Sequence, residues 1–106
     1  MRFVASVVTV PITAPEAAEA LTTAARAAGG FDVVVHNAGI TRDKTIANMQ
    51  AHWWQMVVSV NLSAQERIND ALVESGALQD GARIVCVSSI SGIAGNLGQT
   101  NYALSK

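Results

Sequence analysis

Two residues near the end of this 106-residue chain have the types and spacing for acid–base chemistry, Tyr102 and Lys106. Four positions apart on a helix, they share one face. A phenol, with a free pKa of about 10, exchanges protons poorly at neutral pH. An ammonium beside it favours the phenolate and lowers that pKa. The pair can then pass a proton to or from a substrate oxygen. Spacing alone does not decide the matter, because Tyr and Lys four apart are common on solvated helix faces. Ser89 stands thirteen residues before the tyrosine, in Val87-Ser88-Ser89-Ile90-Ser91-Gly92, where an apolar run ends. The Gly-rich stretch between them is long enough to fold the Ser89 hydroxyl back toward the phenol. Asn37-Ala38-Gly39 closes an earlier apolar run, and Asn61 lies mid-helix in Val60-Asn61-Leu62. A lone amide there has a plain alternative, an exposed helix residue.

The elements that must position these residues follow from pattern. Phe3 to Val10 is rich in β-branched residues and reads as a strand. Its flanking Met1-Arg2 also gives it some likeness to a signal peptide, but the run is short and carries one positive charge. Thr13 can cap a helix whose first turn holds Pro15 and Glu16. The Ala-rich run to Ala28 continues that helix, and Gly29-Gly30 ends it. Phe31 to His36 is a continuous apolar run, as expected of a strand covered on both faces. Asn37 to Asn48 reads as a loop. Met49 to Ser59 and Leu62 to Ser75 read as helix with a break near Asn61, and Gly76 as the stop. Arg83 to Ser88 is a second continuous strand, Ser89 to Gly98 a loop, and Gln99 to Lys106 the start of a helix. This alternation predicts an α/β fold, a partial doubly wound parallel sheet of the Rossmann type. Ligands of such sheets bind beyond the carboxyl ends of the strands. The loops at 37–39 and 88–98 leave those ends.

Composition narrows the function classes. Half of the residues are apolar, 14% are charged and the net charge is −1, which suits a packed domain and excludes a basic nucleic-acid surface. No stretch is long enough for a transmembrane helix. The single Cys86 excludes an intrachain disulfide and reads as an inert core thiol in a reducing compartment. No metal site is assigned.

Taken together, Asn37-Ala38-Gly39 after a strand, Asn61 in a helix, Ser89 before a loop and Tyr102-x-x-x-Lys106 resemble the short-chain dehydrogenase/reductase family. The resemblance runs from about Phe31 to Lys106. Gly39-Ile40-Thr41-Arg42-Asp43 and the run Gly95 to Tyr102 look most like bacterial 3-oxoacyl-[acyl-carrier-protein] reductases, and the related acetoacetyl-CoA reductases are similar. The resemblance implies that Tyr102 protonates the carbonyl oxygen, that Ser89 hydrogen-bonds the same oxygen, and that Lys106 lowers the Tyr102 pKa and bonds the nicotinamide ribose. It implies that Asn61 holds a water linking Lys106 to solvent, and that the backbone of Asn37, Ala38 and Gly39 lines the cofactor cleft. It further implies NADPH as cofactor, with NADH left open. The substrate would be an acyl thioester of CoA or carrier protein. The whole enzyme would be a cytoplasmic homo-oligomer without nucleic-acid or membrane partners.

The sequence departs from the family in places. His36 stands where the family usually has a second Asn, and it is given no role. Val10 or Pro11 stands where Asp or Asn usually meets the adenine. Leu78-Gln79-Asp80 precedes the strand at Arg83 without the basic residues that carrier-protein reductases often place there. No Gly-x-x-x-Gly-x-Gly turn is present for a pyrophosphate. Residues 1–106 are therefore expected to be an incomplete dinucleotide-binding domain, with segments equivalent to strands three, four and five of the 3-2-1-4-5-6 order. On this view strand three lacks its native neighbours, and the isolated chain neither binds cofactor tightly nor turns over. Three functions stay open: reduction of 3-oxoacyl thioesters, reduction of another ketone or oxidation of another alcohol, and a non-catalytic remnant.

Overall fold

The computed structural model describes residues 5–106. Helix α1 (Ala17–Ala27) begins after a pair of turns, in which Ala14 N–H donates to Pro11 O and Ala17 N–H to Ala14 O. Thr13, expected to cap the helix, does not: the N-cap position falls at Glu16, without a side-chain hydrogen bond. Gly29 and Gly30, at φ +84° and +102°, then let Gly30 N–H reach back to Ala25 O at 2.7 Å and close the helix. Strand β1 (Phe31–His36) follows at once.

Helices α2 (Ala51–Val58) and α3 (Ala64–Glu74) are joined without a break by a π-turn at Ser59–Ser63. The expected interruption at Asn61 is thus a local widening, in which Ala64 N–H bonds Ser59 O five residues back. Gly76 ends the run at φ +68°, with Ala77 N–H on Leu72 O at 3.1 Å. Strand β2 (Leu78–Cys86) starts five residues earlier than its apolar run and lies parallel to β1. Pairing runs in register from Val33↔Arg83 to His36↔Cys86, after an irregularity that follows Phe31↔Leu78. The fold is α/β, with the right neighbours paired for strands four and five of a partial Rossmann-type sheet.

The third expected strand is not observed. Residues 5–10 have no strand structure, while Phe3 and Val4 lie outside the described residues. No partner strand lies beside them among the described residues, and Val7 is 90% exposed. Without a ladder, β-branched residues have no pleated surface to pack on.

One face of the β1–β2 pair is covered. Ala25 of α1, with Ile68 and Leu72 of α3 and Ala77, forms the core, and Phe31, Val34 and Leu78 pack against it. The alternate positions Val33 and Val35 point to the other face and are more than half exposed. Burial of both strands on both faces is therefore not found, because the described helices lie on one side only. For the same reason Cys86, expected in the core, is exposed. Beyond β2, the stretch read as one loop contains helix α4 (Ile90–Ala94), which Ser89 caps by accepting Ser91 N–H at 3.2 Å. Helix α5 (Thr100–Ser105) packs close to it. No helix of the described residues is long and apolar enough to cross a membrane.

Candidate active site

The loops leaving β1 and β2 open together at the carboxyl ends of the strands. A cleft there is lined by Asn37, Gly39, Ile40, Thr41, Arg42, Val87, Ser88, Tyr102 and Lys106. Four of the expected site residues, Asn37, Gly39, Tyr102 and Lys106, thus share one wall. Lys106 N–H donates to Tyr102 O at 3.0 Å, so the phenol and the ammonium sit one helical turn apart. Tyr102 is half-buried, and its hydroxyl makes no hydrogen bond to the described residues. The Lys106 ammonium donates to Val87 O at 3.1 Å. That uses one of its three protons and leaves two for a ligand.

Asn61 stands behind this wall, 1% exposed. Its Oδ1 accepts Ile40 N–H at 2.9 Å, and its Nδ2 donates to Ile40 O and to Ser105 Oγ, both at 3.0 Å. Both amide protons are spent, and one Oδ1 lone pair is left over. The side chain therefore ties the loop after β1 to α5. Ser89 does not line the cleft; its Oγ faces the first turn of α4. Its neighbour Ser88 does line it, and donates to Lys106 O at 2.5 Å. Ala38 is exposed and lies, with Asn37, at the rim of a separate apolar pocket beside β1.

The sequence profile of the short chain dehydrogenases matches residues 2–106. This chain belongs to the short-chain dehydrogenase family. Among curated members, it is 46% identical over 78 residues to a 3-oxoacyl-[acyl-carrier-protein] reductase of Thermotoga maritima, an alignment covering 74% of this chain and 32% of that protein. It is 39% identical over 90 residues to an acetoacetyl-CoA reductase of an Acinetobacter strain, covering 85% of this chain and 36% of that one. It is 40% identical over 78 residues to nodulation protein G of Azospirillum brasilense, at 74% and 32% coverage. The chain spans about a third of the length of these relatives.

Short-chain dehydrogenases work with a nicotinamide cofactor, and the Lys106 ammonium and the backbone of Gly39 meet in one corner of the cleft. A Cβ built on Gly39 would lie 3.1 Å from Lys106 Nζ, 3.3 Å from Lys106 Cε and 3.4 Å from Asn61 Oδ1. Glycine at this position lets the loop backbone and the ammonium occupy the same corner. Several residues around this cleft carry no signal of their own in the sequence. Asn101 is fully buried, accepts Tyr102 N–H at 2.8 Å and donates to Arg42 O at 3.0 Å. Ser105, also buried, accepts from Asn61 and donates to Tyr102 O at 2.8 Å. The one legible hint is that both stand on α5 around the tyrosine, at positions a helix turns inward.

Proposed function

We propose that this chain is the catalytic segment of a nicotinamide-dependent carbonyl reductase acting on 3-oxoacyl thioesters. The observation that carries the reading is the cleft at the carboxyl ends of β1 and β2, where Tyr102 on α5 and Lys106 at its C-cap, one turn on, share a wall. The names of the similar reductases point to the thioester class. Tyr102 offers a hydroxyl without a hydrogen-bond partner among the described residues and gives its proton to the carbonyl oxygen. Lys106 keeps two donors for the ribose hydroxyls. Ser89 supplies a second hydrogen bond to the oxygen once its hydroxyl turns from the Ser91 amide. Asn61 holds the loop at Ile40 against α5, and its remaining lone pair is available to a water that resupplies the proton. The backbone of Asn37, Ala38 and Gly39 lines the side of the cofactor, NADPH in preference to NADH. When bound, the cofactor supplies the hydride. In this reading residues 1–106 are part of a larger dinucleotide-binding domain, and the enzyme is a cytoplasmic homo-oligomer.

The test is a chimera in which this chain replaces the aligned part of a family reductase. It should reduce acetoacetyl-CoA with NADPH, followed by cofactor absorbance, and Tyr102→Phe should abolish turnover. Undiminished turnover in Tyr102→Phe would assign the proton to another group. A folded chimera without reductase activity would favour the non-catalytic alternative.

A further inference from the structure

His36, the last residue of β1, takes no part in the reaction above. Alternation along the strand turns Val34 and His36 to the covered face, while Val33 and Val35 stay more than half exposed. His36 is 7% exposed, and the wall around it is apolar, with Val34 of the same strand, Val60 of the π-turn, and Ile68 and Leu72 of α3. A polar ring in such a wall needs a partner. It finds one on α3, where His36 Nε2 lies 2.7 Å from Oδ1 of the half-buried Asn69. An amide oxygen only accepts, so the ring carries a proton on Nε2 and donates it. The backbone of His36 is held from another direction, where its carbonyl accepts Val87 N–H at 3.1 Å from the chain leaving β2. Asn37, the next residue, lines the cleft, and so does Gly39. The strand end from which the cleft's loop departs is thus fixed twice, by the ladder to β2 and by a side chain to α3.

We propose that His36 is a positioning residue, whose bond to Asn69 fixes where the Asn37–Gly39 backbone runs against the cofactor. Residues 37–45 have no regular secondary structure, so the point at which the loop leaves β1 decides the course of its first residues. The residue types support the assignment. An aliphatic side chain of similar size would fill the same space, but packing has no direction, and the Asn69 oxygen would lose its donor. Glutamine can bring an amide nitrogen close to where Nε2 stands, whereas asparagine is one methylene too short. The inference rests on the carbonyl-reductase reading for the identity of the cofactor, though not for the tie between His36 and Asn69.

Two measurements separate the tie from its consequence. The first is NMR of the imidazole nitrogens on the full chain, in which His52→Gln leaves a single ring. It should show a proton on Nε2 that Asn69→Leu exposes to rapid exchange. A His36 ring protonated on Nδ1 alone, or a signal indifferent to Asn69→Leu, would overturn the tie. The second is the Kd for NADPH in the reductase chimera, read by cofactor fluorescence without turnover. His36→Leu should weaken binding about three- to tenfold, the worth of about one hydrogen bond. Asn69→Leu should weaken it as much, and decides the matter alone if His36→Leu does not fold. The two together should cost no more than either one, and His36→Gln should stay within about twofold of the parent. A tie that only supports the fold would lower the urea midpoint and leave the Kd of the folded protein unchanged. An unchanged Kd in Asn69→Leu, or losses that add in the double variant, would therefore overturn the positioning role. A parent chimera that binds NADPH but reduces nothing would remove the reductase reading and leave this one standing. A parent that binds no NADPH would overturn the positioning role itself, and the NMR result would still decide the tie.

Discussion

Replacing Asn61 by alanine should destabilise the fold well beyond what a helix surface residue could cause. The side chain is 1% exposed and makes three hydrogen bonds, two to the backbone of Ile40 and one to Ser105 Oγ. Each such bond is worth about 0.5–1.5 kcal/mol net, and a buried donor left unpaired costs about 1–3 kcal/mol. Ser105 keeps a partner in Tyr102 O, so its loss is small. Ile40 is half-buried, so water can reach part of its backbone and lower the penalty. The sum is roughly 2–4 kcal/mol, a large share of the roughly 5–15 kcal/mol by which a typical domain is stable. Alanine is the better helix former, but by less than about 0.7 kcal/mol. Urea denaturation followed by tryptophan fluorescence suits the measurement, since Trp53 and Trp54 are half-buried in α2 just before the π-turn. A loss below about 0.5 kcal/mol, the usual bound for surface changes, would show that the amide carries no structural weight.

Three further outcomes are expected. Gly92→Ala should cost about 1–3 kcal/mol in the same urea assay, because the new Cβ would fall 2.7 Å from the Lys106 carbonyl carbon and 3.0 Å from its oxygen, where only backbone can move. Ser89→Ala in the reductase chimera should lower kcat roughly 10²–10³-fold, the usual loss for one oxyanion donor. Since Ser89 also caps α4, a stability loss of about 1 kcal/mol should accompany it; a rate that falls only as far as the folded fraction would deny it contact with the substrate. Compared at equal concentration, acetoacetyl-CoA should serve the chimera as well as the carrier-protein thioester, because Gln79 and Asp80 are exposed and offer no cation to an acidic carrier. A strong preference for the carrier-protein form that fades with salt would contradict this.

The sequence was most legible where one local cause dominates. The apolar runs at 31–36 and 83–88 mark the paired strands, and Gly29-Gly30 and Gly76 mark the helix ends, because positive φ admits few other residues. Tyr102 and Lys106 fall on one wall because helix periodicity alone places them there. Legibility failed where tertiary partners decide. Residues 5–10 have strand propensity but no strand to pair with among the described residues. Helix α4 hides in a Gly-, Ser- and Asn-rich stretch because its support is the Ser89 cap and its packing on α5, neither visible as periodicity. Asn61 looked like an interruption because an isolated amide suits helix interiors poorly. Its partners, 21 and 44 residues away, are what make the position favourable.

The irregularity between β1 and β2 has a practical side. From Phe31 to Val33 the first strand advances two residues, while from Leu78 to Arg83 the second advances five. The surplus, around Gly81 at φ +73°, is extruded at the amino end of the strands, away from the cleft. Pairing then resumes at Arg83 and stays in step through Cys86. A strand normally transmits any change of length along its whole ladder, since a slip of one residue turns every side chain over. Here the slack is taken up before the ladder that leads to Ser88 and Ser89 begins. Residues 79–82 are therefore a natural insertion point for a reporter peptide or affinity tag, at which added sequence leaves the strand ends that face substrate where they are.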